Sequence, residues 1–208
     1  MPPAGETRRR ILDAALAVIG EHGVGGLTNR LVARRAGVAL GSLTYHFPSQ
    51  RDILREALTD FADREVDRIA GIAAEIHATS VEVAASHLEE GLVAVVLGGE
   101  SIAVIELYLE AARDPALQEP ARRCWDAYDR IARAILDVLG VEDPGAIASE
   151  VVSLIAGAQL RWLATGHHEA GALAEGLLHF VESHEDATIR ARQAAVDRRQ
   201  PPGQAARR

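Results

Sequence analysis

The residue types that usually carry catalysis or hold metals are sparse in this 208-residue chain, and their spacing is wrong for either role. A single cysteine, Cys124, excludes an intramolecular disulfide and a thiolate zinc site, and it fits a reducing compartment. His167-His168-Glu169, His179 and His184 form neither H-E-x-x-H nor E-x-x-H. Gly99-Glu100-Ser101 begins a G-x-S pattern, but Ala103 stands where a nucleophile elbow needs its last glycine. No Walker A or G-x-G-x-x-G loop is present. An enzyme is therefore not expected, and neither a metal nor a cofactor is called for. The residues that could do chemistry of another kind lie between Thr28 and Ile53. There, Ala33, Gly37 and Leu43 have the spacing of two short helices joined by a tight turn. The small residue lets the helices approach, the glycine permits a left-handed turn, and the leucine packs back. The outward residues of the second helix are Ala39, Leu40, Ser42, Thr44, Tyr45 and His46. Their hydroxyls can hydrogen-bond base edges or phosphates, and their small apolar groups can meet thymine methyls. A helical hairpin with no nucleic-acid role has the same spacing.

The elements that must position these residues are helices. Ile11, Ala15, Val18, Ile19 and His22 share one face of a first helix, from about Glu6 to His22, that stops at Gly23. Thr28 caps a second helix to about Arg35, with Leu27 and Val32 in hydrophobic-staple positions. Ala36-Gly37 turns the chain into a third helix, Ala39 to His46. Ser49 and Asp52 have capping-box spacing at the start of a long fourth helix reaching about His77. Further helices are expected over Val81–Leu97, Ser101–Arg113, Pro115–Leu139, Pro144 to Gly166, and His168 to about Glu185. The expectation is an all-α fold of about nine helices. Its divisions are a head over 1–52, a larger helical bundle over 53–185 and a flexible tail over 186–208.

Composition agrees with packed helices: 48% of residues are hydrophobic and only 4% aromatic. All 22 basic residues are Arg, a bias of the source genome rather than a requirement of physics. The net charge of −8 argues at first against nucleic acid, but the charge is divided unevenly. Residues 1–52 carry seven Arg against four acids, a net of +3, and residues 53–208 carry a net of −11. Arg8-Arg9-Arg10 before Ile11–Ile19 superficially resembles a secretory signal, but Asp13 interrupts the apolar run and the spacing is helical. The longest apolar run, Val151 to Trp162, is broken by Arg161, so no membrane span and a cytoplasmic protein are expected.

The stretch from Ala36 to Leu54, AGVALGSLTYHFPSQRDIL, resembles the signature A-G-V-S-x-G-x-[LIF]-Y-x-[HY]-F-x-[SN]-K-[ED]-x-L of TetR-type (tetracycline-repressor-like) transcriptional regulators. Ile11–Ala15 and Gly23–Thr28 resemble the same family's first helix and loop, so the resemblance covers roughly residues 7–54. It implies a ligand-responsive regulator, a repressor released from palindromic double-stranded operator DNA by a small-molecule inducer. The alternative is an all-α ligand-binding or protein-interaction bundle without specific DNA binding.

Carried over by position, Thr28, Asn29 and Arg30 open the second helix where a hydroxyl meets a phosphate. Gly41 lets the backbone approach DNA, and Tyr45 and His46 sit where the family contacts phosphates or bases. Ala39 replaces the usual Ser, Thr44 the usual Tyr and Gln50 the usual Lys, whose charge Arg51 could supply. Phosphate attraction is then left to Arg30, Arg34, Arg35 and the Arg8–Arg10 arm.

The resemblance also implies a homodimer through the last two long helices, using Val151, Val152, Leu154, Ile155, Leu160 and Leu163, with Leu173, Leu177, Leu178 and Val181. For a ligand pocket the candidates are Phe61, His87, Glu106, Tyr108, Trp125, Tyr128 and Trp162. Each could equally be a packing residue of the core or of an interface.

Overall fold

The computed structural model describes residues 4–77, 101–167 and 170–199 of the chain. Their α-helices are α1 (Ala4–His22), α2 (Asn29–Ala36), α3 (Leu40–His46), α4 (Gln50–His77), α5 (Ser101–Ala111), α6 (Gln118–Val138), α7 (Pro144–Thr165) and α8 (Ala170–Arg199). No strand occurs among the described residues. The helix expected over Val81–Leu97 lies outside them.

Local signals set most of the boundaries. The N–H of Leu31 donates to Thr28 Oγ1 at 3.3 Å, capping α2 as its sequence requires. At the head of α4 the capping box closes both ways: Ser49 N–H donates to Asp52 Oδ2 at 3.0 Å, and Asp52 N–H to Ser49 Oγ at 3.2 Å. Between α2 and α3, Gly37 takes a left-handed φ of +63°. That conformation lets Val38 N–H reach back to Ala33 O at 3.0 Å, closing the exposed end of α2. Arg10 Nη2 donates to Ala36 O at 2.6 Å in the same turn, so α1 holds the α2–α3 angle from behind. Ala39 stands at the N-cap of α3 and supplies no side-chain hydrogen bond.

Three boundaries differ from the sequence reading. The segment expected as one helix from Pro115 splits into a 3-10 turn, Pro115–Leu117, followed by α6. Pro120 explains the split, because an unbroken helix would put it in the interior, without an N–H and against the carbonyl of Ala116. The last helix runs to Arg199, beyond the expected start of a tail at 186. Residues 186–199 are rich in Ala and Arg and hold no Gly or Pro, so nothing local stops it. Finally, α7 is long and apolar enough to cross a bilayer, where no such run was expected. Ala146, Ile147 and Ala148 extend the apolar stretch upstream, and over that length one Glu and one Arg are diluted.

One buried cluster runs from the head into the body without a break at residue 52. Ile11, Ala15, Val18 and Ile19 of α1 meet Val32, Ala33, Leu43 and Phe47, and the same cluster continues through Ile53, Leu58 and Phe61 of α4 to Leu107, Leu117 and Cys124. His22, placed on the apolar face of α1 by spacing, is exposed. A second cluster joins α6 to α7 through Ala132, Leu136, Ile147, Ala148, Val151 and Val152. Helix α4, about 42 Å long at 1.5 Å per residue, packs most extensively on α6, and α8 lies against α7.

The polar tie between head and body is Asp114, whose side chain is 5% exposed. Its carboxylate accepts from Arg55 Nε at 2.5 Å and Nη2 at 3.0 Å, from Arg51 Nε at 3.3 Å, and from Ala116 N–H at 3.2 Å. The Arg55 hydrogen bond above all holds its carboxyl at about 2, against an ordinary 3.8.

Two outcomes follow for stability. Gly37→Ala should lower the unfolding free energy by about 1–2 kcal/mol in urea denaturation, the cost of a side chain in the left-handed region. A depressed carboxyl stabilises the fold above the unfolded value near 3.8, and this contribution is lost as pH falls towards about 2. Asp114→Asn should therefore unfold at lower urea than the parent at pH 7, and the difference between the two should shrink across that acid window.

Candidate nucleic-acid interface

Helix α3 presents an uncharged face. Leu43 is buried and anchors it, while Ala39, Leu40, Gly41, Thr44 and Tyr45 are exposed and Ser42 and His46 are half-buried. Tyr45 is 84% exposed and Leu40 42%, large surfaces left open among the described residues. The Thr44 hydroxyl turns back onto its own helix, donating to Leu40 O at 3.2 Å and Gly41 O at 3.1 Å. A Cβ built at Gly41 would meet no atom within 4 Å, so the chain itself does not require glycine there. Thr28 and Arg30 are exposed beside this face, whereas Asn29 is half-buried with an unpartnered Oδ1.

The arginines around the face divide into two groups. Arg35 is bound to Glu21 through two hydrogen bonds of 2.5 and 2.6 Å. Arg8 pairs with Glu56 and lies 5.4 Å from the Phe47 ring centroid, and Arg10 is committed to the Gly37 turn. Arg51, expected to stand in for the lysine missing at Gln50, turns to Asp114. Gln50 donates its amide to Leu27 O. Arg9, Arg30 and Arg34 are exposed and form no ion pair among the described residues. The positive charge available to an anion near α3 is thus smaller than the count of arginines implies, and sits on these three.

In the body, the structure brings together three of the seven expected ligand residues. Tyr108 of α5 stacks on Trp125 of α6, with ring centroids 4.9 Å apart and an 18° interplanar angle. One turn on, Tyr128 donates its hydroxyl to Glu65 Oε1 at 2.5 Å. Phe61 is a core residue of the head–body cluster. Glu106 accepts from Val24 N–H at 3.4 Å, tying α5 to the loop before α2. Trp162 is buried on α7, beside an open groove between α7 and α8 lined by Leu154, Gly157, Arg161 and Leu173. His87 lies outside the described residues.

Glu65 was not among the residues expected from sequence, although it falls on the buried face of α4, seven residues after Leu58 and four before Ile69. It is 4% exposed. Burial pushes its carboxyl up, but two hydrogen bonds from Arg68 at 2.8 and 2.6 Å and the one from Tyr128 outweigh it and hold the group below its ordinary value. Burial pushes the phenol of Tyr108 up, and its hydroxyl is buried without a partner among the described residues. Burial likewise raises the neighbouring Cys124 thiol to about 12, which makes it inert. A fixed anion, two stacked rings and an unsatisfied hydroxyl form a polar, aromatic node between α4, α5 and α6.

Comparison with known proteins accounts for both ends of the chain. Residues 11–57 match the bacterial regulatory protein domain of the tetR family, and residues 79–184 match the tetracyclin repressor-like C-terminal domain. The HTH-type transcriptional repressor KstR of Mycolicibacterium smegmatis is 45% identical over 64 residues, 31% of this chain and 29% of that protein. The HTH-type transcriptional regulator SrpR of Pseudomonas putida is 44% identical over 55 residues, 26% of each protein. These alignments thus span less than a third of either relative. Likeness in structure extends further. The multidrug binding protein EbrR, complexed with imidazole, is 30% identical with a TM-score of 0.59, over 86% of this chain and 95% of that one. A TetR-family member from Streptomyces coelicolor A3 is 31% identical with a TM-score of 0.64, over 83% and 96%. With both domains matched and the fold shared along nearly its whole length, the chain belongs to the tetR family of bacterial regulatory proteins.

Proposed function

We propose that this protein is a DNA-binding transcriptional repressor, released from a palindromic operator by a small-molecule inducer. The observation that carries the reading is the exposed, uncharged face of α3, with Arg9, Arg30 and Arg34, exposed and without an ion pair among the described residues, on the helices α1 and α2 that pack against it. A recognition helix displays groups for base edges while nearby cations meet phosphates. Residues 11–57, which include this helix, match the bacterial regulatory protein domain of the tetR family.

A homodimer through α7 and α8 would set two such helices against half-sites about 34 Å apart. Leu154, Leu160 and Leu163 of α7 and Leu178 of α8 are exposed, and α8 packs on little besides α7. A second copy covering these leucines accounts for a helix that otherwise has membrane-like apolarity. The protein then works in the cytoplasm, where its operator is.

The node of Glu65, Tyr108, Trp125 and Tyr128 is where an inducer would act, and EbrR, a relative of the same fold, binds imidazole and proflavin. From there α5 leads to the head at two points, Glu106 on Val24 N–H and Asp114 on Arg51 and Arg55. A ligand that fits better when these ties are shifted would favour the released arrangement and weaken operator binding.

Mobility-shift assays with duplexes from the DNA flanking the gene test the reading. The full chain should give a sequence-specific shift, and its absence would favour a ligand-binding or interaction bundle. Affinity should fall steeply with salt, and Arg34→Ala should flatten the log–log slope by about one for each phosphate no longer neutralised. An affinity independent of salt overturns the assignment of the arginines. Gly41→Ala should leave the folded chain as stable as before or slightly more so, by up to about 1 kcal/mol, yet weaken operator binding at least tenfold. Unchanged binding would show that no backbone approach occurs at Gly41.

A further inference from the structure

The composition of α3 limits which bases it can read. Leu40-Gly41-Ser42-Leu43-Thr44-Tyr45-His46 contains no Arg, Lys, Asn, Gln, Asp or Glu. Paired hydrogen bonds to guanine O6 and N7 come from Arg or Lys, and those to adenine N6 and N7 from Asn or Gln. Neither kind of side chain is available on this helix. Its hydroxyls are also constrained. Thr44 already donates to carbonyls of its own helix, which leaves its methyl as the group free to face outward. Ser42 is half-buried, and His46 is half-buried with its ring against Tyr45 and Phe47 at 5.4 and 6.5 Å between centroids.

What remains outward is mostly apolar, the Tyr45 hydroxyl being the exception. Leu40 opens the helix, at the end that enters the groove nearest the base edges. Thr44 lies one turn on in the same column, and Tyr45 follows Gly41 in the next. Leu40, 42% exposed, lacks full cover among the described residues. In the major groove the apolar group a base edge offers is the thymine C5-methyl. The occupant of this surface is duplex DNA rather than a protein, because the helices packed against α3 carry the exposed cations Arg9, Arg30 and Arg34, which would draw a polyanion to this end of the head.

We infer that the operator half-site is read chiefly through thymine methyl groups, with Leu40 as the specificity-determining residue and the Thr44 methyl and Tyr45 ring beside it. The inference rests on the DNA-binding reading above and names the base that reading leaves open. It makes the half-site thymine-rich where α3 enters, with guanine and adenine edges there contributing little.

The test uses the full chain and synthetic DNA. Binding sites are selected from randomised duplexes, and each thymine of the selected half-site is then replaced singly by deoxyuridine, which removes only the methyl. At one or more positions the substitution should weaken binding about fourfold per half-site, the worth of one buried methyl. Leu40→Ala, checked by circular dichroism to be folded, should bind the thymine and uracil duplexes equally at that position and both as weakly as the parent binds the uracil one. A specific shift indifferent to uracil at every position overturns the inference while the DNA-binding reading stands. So do selected half-sites without thymine. No selectable site at all overturns both.

Discussion

Helix α4 runs through a single core shared by head and body, and most of the molecule depends on that. Its first turns, with Ile53 and Leu58, close the head around Leu43 and Phe47. Further along, Phe61 and Ala62 join the same cluster to α5 and α6. A helix with continuous backbone hydrogen bonding cannot bend cheaply between these parts. The orientation of α3 is therefore set by whatever α4 packs against in the body. The Asp114 carboxylate strengthens the arrangement by binding Arg51 and Arg55 at the same end of α4, and Glu106 fixes the loop before α2 from the other side. A disturbance at α5 would reach the head through these packed and hydrogen-bonded groups.

Electrostatics in the head works by subtraction. Its net charge of +3 describes a region in which several arginines are already neutralised by neighbours. Glu21, Glu56 and Asp114 hold Arg35, Arg8 and the Arg51–Arg55 pair, and carbonyls at the Gly37 turn hold Arg10. These pairs build the head, and the cations left over give it an attractive surface. The body's net of −11 repels a duplex and confines approach to that surface. An uncharged recognition helix suits this division, since attraction and reading fall to different residues.

Much of this is legible in the chain itself. The Thr28 cap, the Ser49–Asp52 box and the glycine after α2 all act within about four residues, so spacing alone places them. The apolar periodicity that puts Ile11 and Leu43 in the core is equally local. Even Glu65 carries a signal, since it interrupts the apolar face of α4 where a carboxylate must be paired. Pro120 is a local signal too, and it moves the start of α6 away from Pro115. Helix α8 outruns its expected end because a polar composition resembles a tail, although Ala, Arg and Gln are good helix formers.

The sequence by itself determined an all-α chain with a helix-turn-helix head and the exposure of Leu40, Thr44 and Tyr45 on α3, but not the half-burial of Ser42 and His46, which it placed outward. Tertiary structure decided which polar groups remain free. Arg55 meets Asp114 across 59 residues, Tyr128 meets Glu65 across 63, and Val24 meets Glu106 across 82. Those encounters depend on how α4, α5 and α6 pack, which no local rule encodes. The same packing made Glu106 a brace for the head and set Tyr108 and Trp125 face to face. A capping residue carries its partner a few positions away, whereas an ion pair between helices exists only once a shared apolar core has brought the helices together.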